Sequence, residues 1–383
     1  MKVGLVATNL GTIQKPWLLD AKGLMAHSGN NLGNLAFWYA ADLLIDAEKY
    51  CMPWSAKRSG LPADIKALVI PAANFINATV KLHDLARTVR EFDLPCILIG
   101  IGAQAERENL PPKVDQSVID FLNEVSARTP FIGLRGDYTK QMTDGFGISN
   151  TRVLGCPSIL INPDPNLGQK IDAKIKAGLP DGPYVFHASC VKEPLRSVER
   201  EFINLINSYP GSRYVVQRPV ELIMAARREP MNEKELEYFE KCVKFFGFSG
   251  RNSRFEDFLR QQTFFPASID GWIHFLKQMR AGINTRIHGT LMGIAAGIPS
   301  LCVVHDSRTR ELAKQLMVPA LEIGDFLATR HRVDDMFARA AFDGARFDAN
   351  RQKIAVQYCE LLETVGLKPS KHLSQLAIPE GST

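Results

Sequence analysis

The chain has 383 residues, beyond the ~100–200 that one compact domain usually holds, so about two domains are expected. A composition that is 45% apolar and 23% charged is that of a soluble globular protein. Forty-six Lys and Arg against forty-one Asp and Glu leave a net charge of only +5, scattered and not striped, which excludes a nucleic-acid binder and suits a small anionic ligand.

The N-terminus MKVGLVATNL turns polar at once, so no signal peptide is expected. It is followed by short β-rich runs that alternate with longer amphipathic segments, the pattern of parallel sheets covered by crossover helices. Strands are predicted at VGLVATN (3–9), ALVIPAA (67–73), CILIGIG (96–102), FIGLRG (131–136) and TRVLGC (151–156), with helices near 34–48, 79–92, 115–127 and 138–145. Each strand is almost wholly apolar, as when both faces are buried. A turn-rich stretch holds four prolines between residues 163 and 183 and marks a linker.

Alternation then restarts with strands at YVFHAS (184–189), RYVVQR (213–218), TFFPAS (263–268), AGINTR (281–286) and PSLCVV (299–304). Helices are predicted near 195–208, 233–246, 254–261, 270–279, 289–296 and 308–317. The expected organisation is an N-terminal domain over 1–165, a linker over 166–183, a C-terminal domain over 184–333 and a helical region over 334–383. Both domains are read as doubly wound and Rossmann-like, facing a cleft, with ligands beyond the carboxyl ends of the strands. The longest apolar run, 289–304, is shorter than the ~20 residues that cross a bilayer, so no membrane span is expected. Cysteines 51, 96, 156, 190, 242, 302 and 359 are odd in number and form no C-x-x-C pair. They suit a reducing cytoplasm better than a disulfide framework or zinc site, and no metal is expected.

The segment GINTRIHGTLMGIAAGIPSLCVV (282–304) places Arg286 and His288 between small and apolar residues. On an extended backbone both point to one side, and Gly289 and Thr290 are expected to open a helix whose free N–H groups favour an anion. Arg offers a bidentate fork for carboxylate or phosphate, and His moves a proton near neutral pH. An Arg paired to a buried acid and a helix-capping His would explain the pair equally well. Arg135, in GLRGDYTKQM, ends a strand in the same way, with an ion pair as the plainer reading. The loop SGNNLGNLAF offers Asn31 and Asn34 before a helix; turn and cap chemistry accounts for it as well as ligand binding does. Asn74 and Gln104 are strand-end amides suited to a polyhydroxy ligand. His187 in VFHASC reads more readily as a satisfied core histidine than as a site residue. Asp306, Arg308 and Arg310 in HDSRTREL are accounted for by a capped, solvated helix start. No HExxH, GxSxG or paired carboxylates occur, so hydrolase and metalloenzyme readings start low.

INTRIHGTLMGIAAGIPSLCVVHDSRTREL (283–312) resembles the polysaccharide pyruvyl transferase family in its Arg-x-His element, small-residue helix, Gly-x-Pro turn and short polar motif. FIGLRGDYTKQM and GISNTRVLGCPSILIN are similar to that family's arginine turn and following strand. NLGNLAF and IPAANFI depart from it: Asn34 stands where Asp is frequent, so no acid or base role falls on it, and Ala72 and Ala73 stand where glycines are common. The resemblance implies a GT-B-like fold, phosphoenolpyruvate as donor and a sugar or lipid-linked oligosaccharide as acceptor, joined as a pyruvate ketal, with no separate cofactor. The N-terminal domain would hold the acceptor and the C-terminal domain the donor, with the protein cytoplasmic and peripheral to the inner membrane face. Arg286 and His288 would be catalytic. Arg135, Asn31, Asn34, Asn74, Gln104, His187 and Arg308, the last where members often have Lys, would bind substrate. The competing expectations are a GT-B-like glycosyltransferase using a nucleotide sugar and a non-catalytic carbohydrate-binding protein on the same fold.

Overall fold

A computed structural model describes residues 1–104, 113–188 and 191–378. Ser189 of the predicted strand 184–189, Cys190, and residues 379–383 of the predicted helical region lie outside the described residues. The apolar runs become parallel strands: β1 (Lys2–Leu5), β2 (Glu48–Cys51), β3 (Ile65–Pro71), β4 (Cys96–Ile99), β5 (Ile132–Leu134) and β6 (Thr151–Val153). The first four lie in the order β2-β1-β3-β4. The β5–β6 pair extends this sheet, because Gly133 O accepts from Gly100 N at 3.0 Å and Ile101 N at 3.3 Å. The second half contributes β7 (Tyr184–His187), β8 (Arg213–Val215), β9 (Thr263–Phe264), β10 (Ala281–Asn284), β11 (Ser300–Val304) and β12 (Ala320–Glu322), in the order β12-β11-β10-β7-β8-β9.

Both sheets are doubly wound, and their order reverses between β1 and β3 and between β7 and β10. Two Rossmann-like domains therefore face each other with their ligand-binding crevices at those points, the GT-B-like arrangement. Helices follow the predicted periodicity closely at Asn34–Leu44, Gln116–Ser126, Arg196–Ser208 and Glu233–Phe245. The last starts with a capping box, Asn232 Oδ1 accepting from Glu235 N at 3.1 Å and Glu235 Oε2 from Asn232 N at 2.9 Å.

Two expectations are corrected. The segment read as a turn-rich linker contains a helix, Leu167–Lys176, that buries only Leu167, Gly168 and Ile171. Its first N–H groups are capped from far along the chain: Asp348 accepts from Gly168 N at 2.7 Å and Gln169 N at 3.0 Å. Helix Gly344–Thr364, which carries Asp348, approaches so closely that a Cβ on Gly168 would lie 2.4 Å from Gly344 O and one on Gly344 2.3 Å from Gly168 O. Buried Arg351 adds bonds to Ile159 O at 3.1 Å and Asp164 O at 2.9 Å.

The second correction concerns the helix after β10, which opens at Ile287 and not at Gly289. Arg286 is its N-cap residue and His288 its second residue, so strand alternation does not bring the two together.

The terminal helices cross back to the first domain. Ser370 N donates to Leu44 O at 3.0 Å, and His372 Nε2 lies 2.7 Å from Leu160 O. A further tie is Glu311, on helix Ser307–Leu316 of the second domain. It accepts from Thr139 N at 3.0 Å and Thr139 Oγ1 at 2.7 Å, at the start of helix Asp137–Gly145 of the first.

Candidate active site

A cavity of about 440 Å³ opens between the domains. Its N-terminal wall is formed by residues beyond the ends of β1, β2, β3 and β4, among them Asn31, Asn34, Trp54, Asn74 and Gln104; Arg218 and Arg308 close it from the C-terminal side. The predicted amides thus converge. Asn34 Nδ2 donates to Ser28 O at 2.9 Å, and Asn31 Oδ1 accepts from Gly33 N at 3.1 Å. Asn74 Nδ2 reaches Gln104 Oε1 at 3.2 Å. Phe37 and Trp38, from the helix that Gly33 starts, and Trp54, edge-on to Phe75 at 5.3 Å, line the same wall. Sequence reasoning missed these aromatics. The signal for Trp54 was a Pro-Trp pair following a strand too short and polar to be recognised.

Arg135 is almost entirely enclosed, at 2% exposure. It donates to Gly100 O at 2.7 Å, Asn74 Oδ1 at 2.7 Å and Ala72 O at 3.3 Å. The predicted direct contact with a ligand is thereby revised: Arg135 fastens the Asn74 loop and supplies positive field from behind it. His187 takes the core position that its sequence context favoured, not the substrate-binding role that the resemblance implied. Its Nδ1 lies 2.6 Å from Asn284 Oδ1, and its Nε2 accepts from Trp272 Nε1 at 3.0 Å. Both ring nitrogens are engaged in the core, so His187 offers a ligand nothing. Its neighbour Gly289 is held to glycine by this packing, since a Cβ there would lie 2.2 Å from His187 Cβ.

His288 differs. Its side chain reaches the domain interface, where Nε2 lies 3.7 Å from Cys156 Sγ and the ring packs at 5.6 Å, centroid to centroid, on Phe37. Burial, followed by the charges of Arg135, Arg308 and Arg286, pushes its pKa down to about 3. The same burial and charges hold the ring in its neutral form. Arg286 is half-buried at the mouth of β10, with Nε 2.5 Å from Ala188 O and an Nη 3.3 Å from Arg218 O. Arg308 lies 3.5 Å from Asp306 Oδ2, and its Nε has no hydrogen bond among the described residues. Arg218 and Arg308 thus share a cavity with the amides and aromatic rings, and His288 packs on Phe37 of its wall.

The sequence profile of polysaccharide pyruvyl transferases matches residues 31–307. The chain belongs to the polysaccharide pyruvyl transferase family. The matched span of this family member runs from Asn31 to the turn before Arg308, and so includes Asn34, Asn74, Gln104, Arg135, Arg286 and His288. Solved structures similar over most of its length include the UDP-GlcNAc 2-epimerase of Neisseria meningitidis bound to UDP-GlcNAc. That enzyme is 11% identical, with 94% of this chain and 99% of the other covered and a TM-score of 0.45. The Methanocaldococcus jannaschii UDP-GlcNAc 2-epimerase is 9% identical, covering 94% and 100%, with a TM-score of 0.43. The search of curated proteins found no match.

Proposed function

We propose that this family member transfers the pyruvyl group of phosphoenolpyruvate onto two hydroxyls of a sugar, forming a ketal in a polysaccharide or its precursor. The observation that carries this reading is the buried His288, packed on Phe37 of the cavity wall, with Arg135, Arg308 and Arg286 close enough to depress its pKa. Phosphoenolpyruvate bears a carboxylate and a phosphate, and Arg286 and Arg308 supply the charge-assisted hydrogen bonds that hold such groups. Arg135 adds positive field without touching the donor.

The donor also sets the protonation of His288. Three nearby positive charges oppose an imidazolium; an anion placed among them cancels that repulsion and raises the pKa of the ring. His288 thus becomes an acid only when there is a donor to protonate. It delivers a proton to the methylene carbon C3, leaving an oxocarbenium-like C2 that the first sugar hydroxyl attacks. Phosphate departs and the second hydroxyl closes the ring. General acid action of this kind contributes about 10²–10⁴ in rate.

On the opposite wall Asn31, Asn34, Asn74 and Gln104 present hydrogen-bonding groups to a polyhydroxy ligand. Trp54, 40% exposed, offers an apolar face to the C–H side of a pyranose. Incubation with phosphoenolpyruvate and p-nitrophenyl hexosides that carry an unblocked diol tests the reading. Acceptor-dependent release of inorganic phosphate is expected. Release of a nucleotide from UDP-sugars, with phosphoenolpyruvate left intact, overturns it.

A further inference from the structure

The cleft has a second chamber. Past Gln104 and Arg218, which line both spaces, a volume of about 680 Å³ is bounded by Asn77, Ala78 and Thr79 of the first domain and by Lys192, His305 and Asp306 of the second. His305 and Asp306 occupy the turn between β11 and helix Ser307–Leu316. One oxygen of Asp306 caps that helix: Oδ1 accepts from Thr309 N at 2.8 Å and Thr309 Oγ1 at 2.9 Å.

The other oxygen is unexplained by capping. Oδ2 is out of solvent and has no hydrogen bond among the described residues; Arg308 and His305 Nε2 stand off at 3.5 and 3.6 Å. The His305 side chain is 4% exposed, and its Nε2 likewise has no hydrogen bond there. A helix cap needs one carboxylate oxygen. A second oxygen, desolvated beside an imidazole Nε2 that also has no hydrogen bond, on a residue that lines a chamber, is an arrangement a ligand hydroxyl can complete.

We propose that Asp306 is a catalytic residue, the base that receives the proton of the attacking acceptor hydroxyl, and that a sugar diol reaching from the first chamber supplies the missing donor to its Oδ2. This rests on the pyruvyl-transfer reading above. The O–H bond of the first hydroxyl breaks as its oxygen bonds C2 of the donor, and that proton passes to Asp306. It replaces, by way of solvent, the proton that His288 gave to C3. The C2–O bond to phosphate then breaks, with the electron pair leaving on the phosphate. The second hydroxyl oxygen bonds C2, and its proton goes to the departing phosphate. One donor and one diol give one ketal and one inorganic phosphate, and nothing is oxidised or reduced.

The surroundings suit that task. Burial raises the Asp306 pKa, but Arg308 and then His305 oppose it and the result is about 2, so the carboxylate is ionised. Burial, against the pull of Asp306, drives His305 down to about 4, so it is neutral beside the carboxylate. Among the described residues, Lys192 and Arg218 are the other charged groups lining the chamber. A weak base suffices, because a hydroxyl attacking an oxocarbenium-like carbon becomes acidic as the C–O bond forms.

Asp306→Asn separates capping from catalysis, since Asn caps a helix as well as Asp does. The variant is expected to keep the wild-type melting temperature and the stabilisation by phosphoenolpyruvate. Its acceptor-dependent phosphate release, with the p-nitrophenyl hexosides, is expected to fall at least about 100-fold. Formate should restore part of the turnover lost in Asp306→Ala. Asp306→Asn turning over within a few-fold of wild type overturns the proposal and leaves a cap, as does a loss of turnover that follows a loss of melting temperature. A wild-type protein that neither binds nor consumes phosphoenolpyruvate removes the reaction itself, and the proposal with it.

Discussion

The two walls of the cleft share a topology and differ in chemistry. Each is formed where the strand order of a doubly wound sheet reverses. At the N-terminal reversal, beyond β1 and β3, the lining includes Thr8, Asn31, Asn34, Trp54 and Asn74, with no charged side chain from that domain among the described residues. At the C-terminal reversal, beyond β7 and β10, stand Arg286 and His288, with Arg308 following β11. On the proposed reading the fold decides where a ligand sits, and the strand-end residues decide its class: a neutral polyhydroxy molecule on one side, an anion on the other.

The largest effect is expected from taking the proton carrier out of the charged wall. His288→Gln should lower acceptor-dependent phosphate release by about 10²–10⁴, while calorimetry finds phosphoenolpyruvate still bound. Acid should come next, because the C-terminal domain buries histidines that the N-terminal wall lacks. Burial, only partly offset by the Asn284 hydrogen bond, holds the His187 pKa at about 4, against 6.5 for the unperturbed ring. The unfolded chain therefore binds more protons between those values, and stability falls as pH drops through that window, by about 1.4 kcal/mol per pH unit for each such ring. His305, about 4, adds to the same slope. Denaturant unfolding from pH 7.5 to 4.5 reads it, and a flat profile would remove the buried neutral histidines.

Arg308→Ala removes one guanidinium from the charged wall. Loss of a charged hydrogen bond, about 1.5–3 kcal/mol, should weaken phosphoenolpyruvate some 10- to 100-fold while the acceptor KM holds. The smallest effect should come from the neutral wall. Trp54→Ala should raise the acceptor KM by about five- to tenfold, for a loss near 1 kcal/mol, and leave donor affinity unchanged. Equal effects of these two substitutions on both substrates would erase the division between the walls.

Much of this was legible in the sequence. The apolar runs located the inner strands, and the residues following them supplied the amides and arginines now found around the cleft. Two edge strands, β2 and β12, were not legible, although the edges β6 and β9 were. β2 alternates exposed and half-buried residues, and β12 has three residues, so neither carries the apolar signal of a strand buried on both faces. The helix Leu167–Lys176 was hidden because its cap comes from Asp348 and its packing from Gly344, both remote in sequence. Helix Val220–Arg227 was missed beside a proline-led turn.

Histidine shows the limit most clearly. His187 and His288 are both buried in the same domain, and both have depressed pKa values. One has two strong hydrogen-bond partners; the other has a sulfur contact and surrounding arginines. That difference depends on Trp272 and Cys156, which no local motif ties to either ring.

The central claim is that the donor anion itself turns His288 into an acid. NMR titration of the His288 ring, with and without saturating phosphoenolpyruvate, tests it directly. The expected result is a ring that stays neutral down to about pH 4 in the free protein, consistent with a pKa of about 3, and that takes up a proton at distinctly higher pH once the donor is bound. Identical titrations in the two states, or a free ring titrating near the ordinary histidine value, would contradict it.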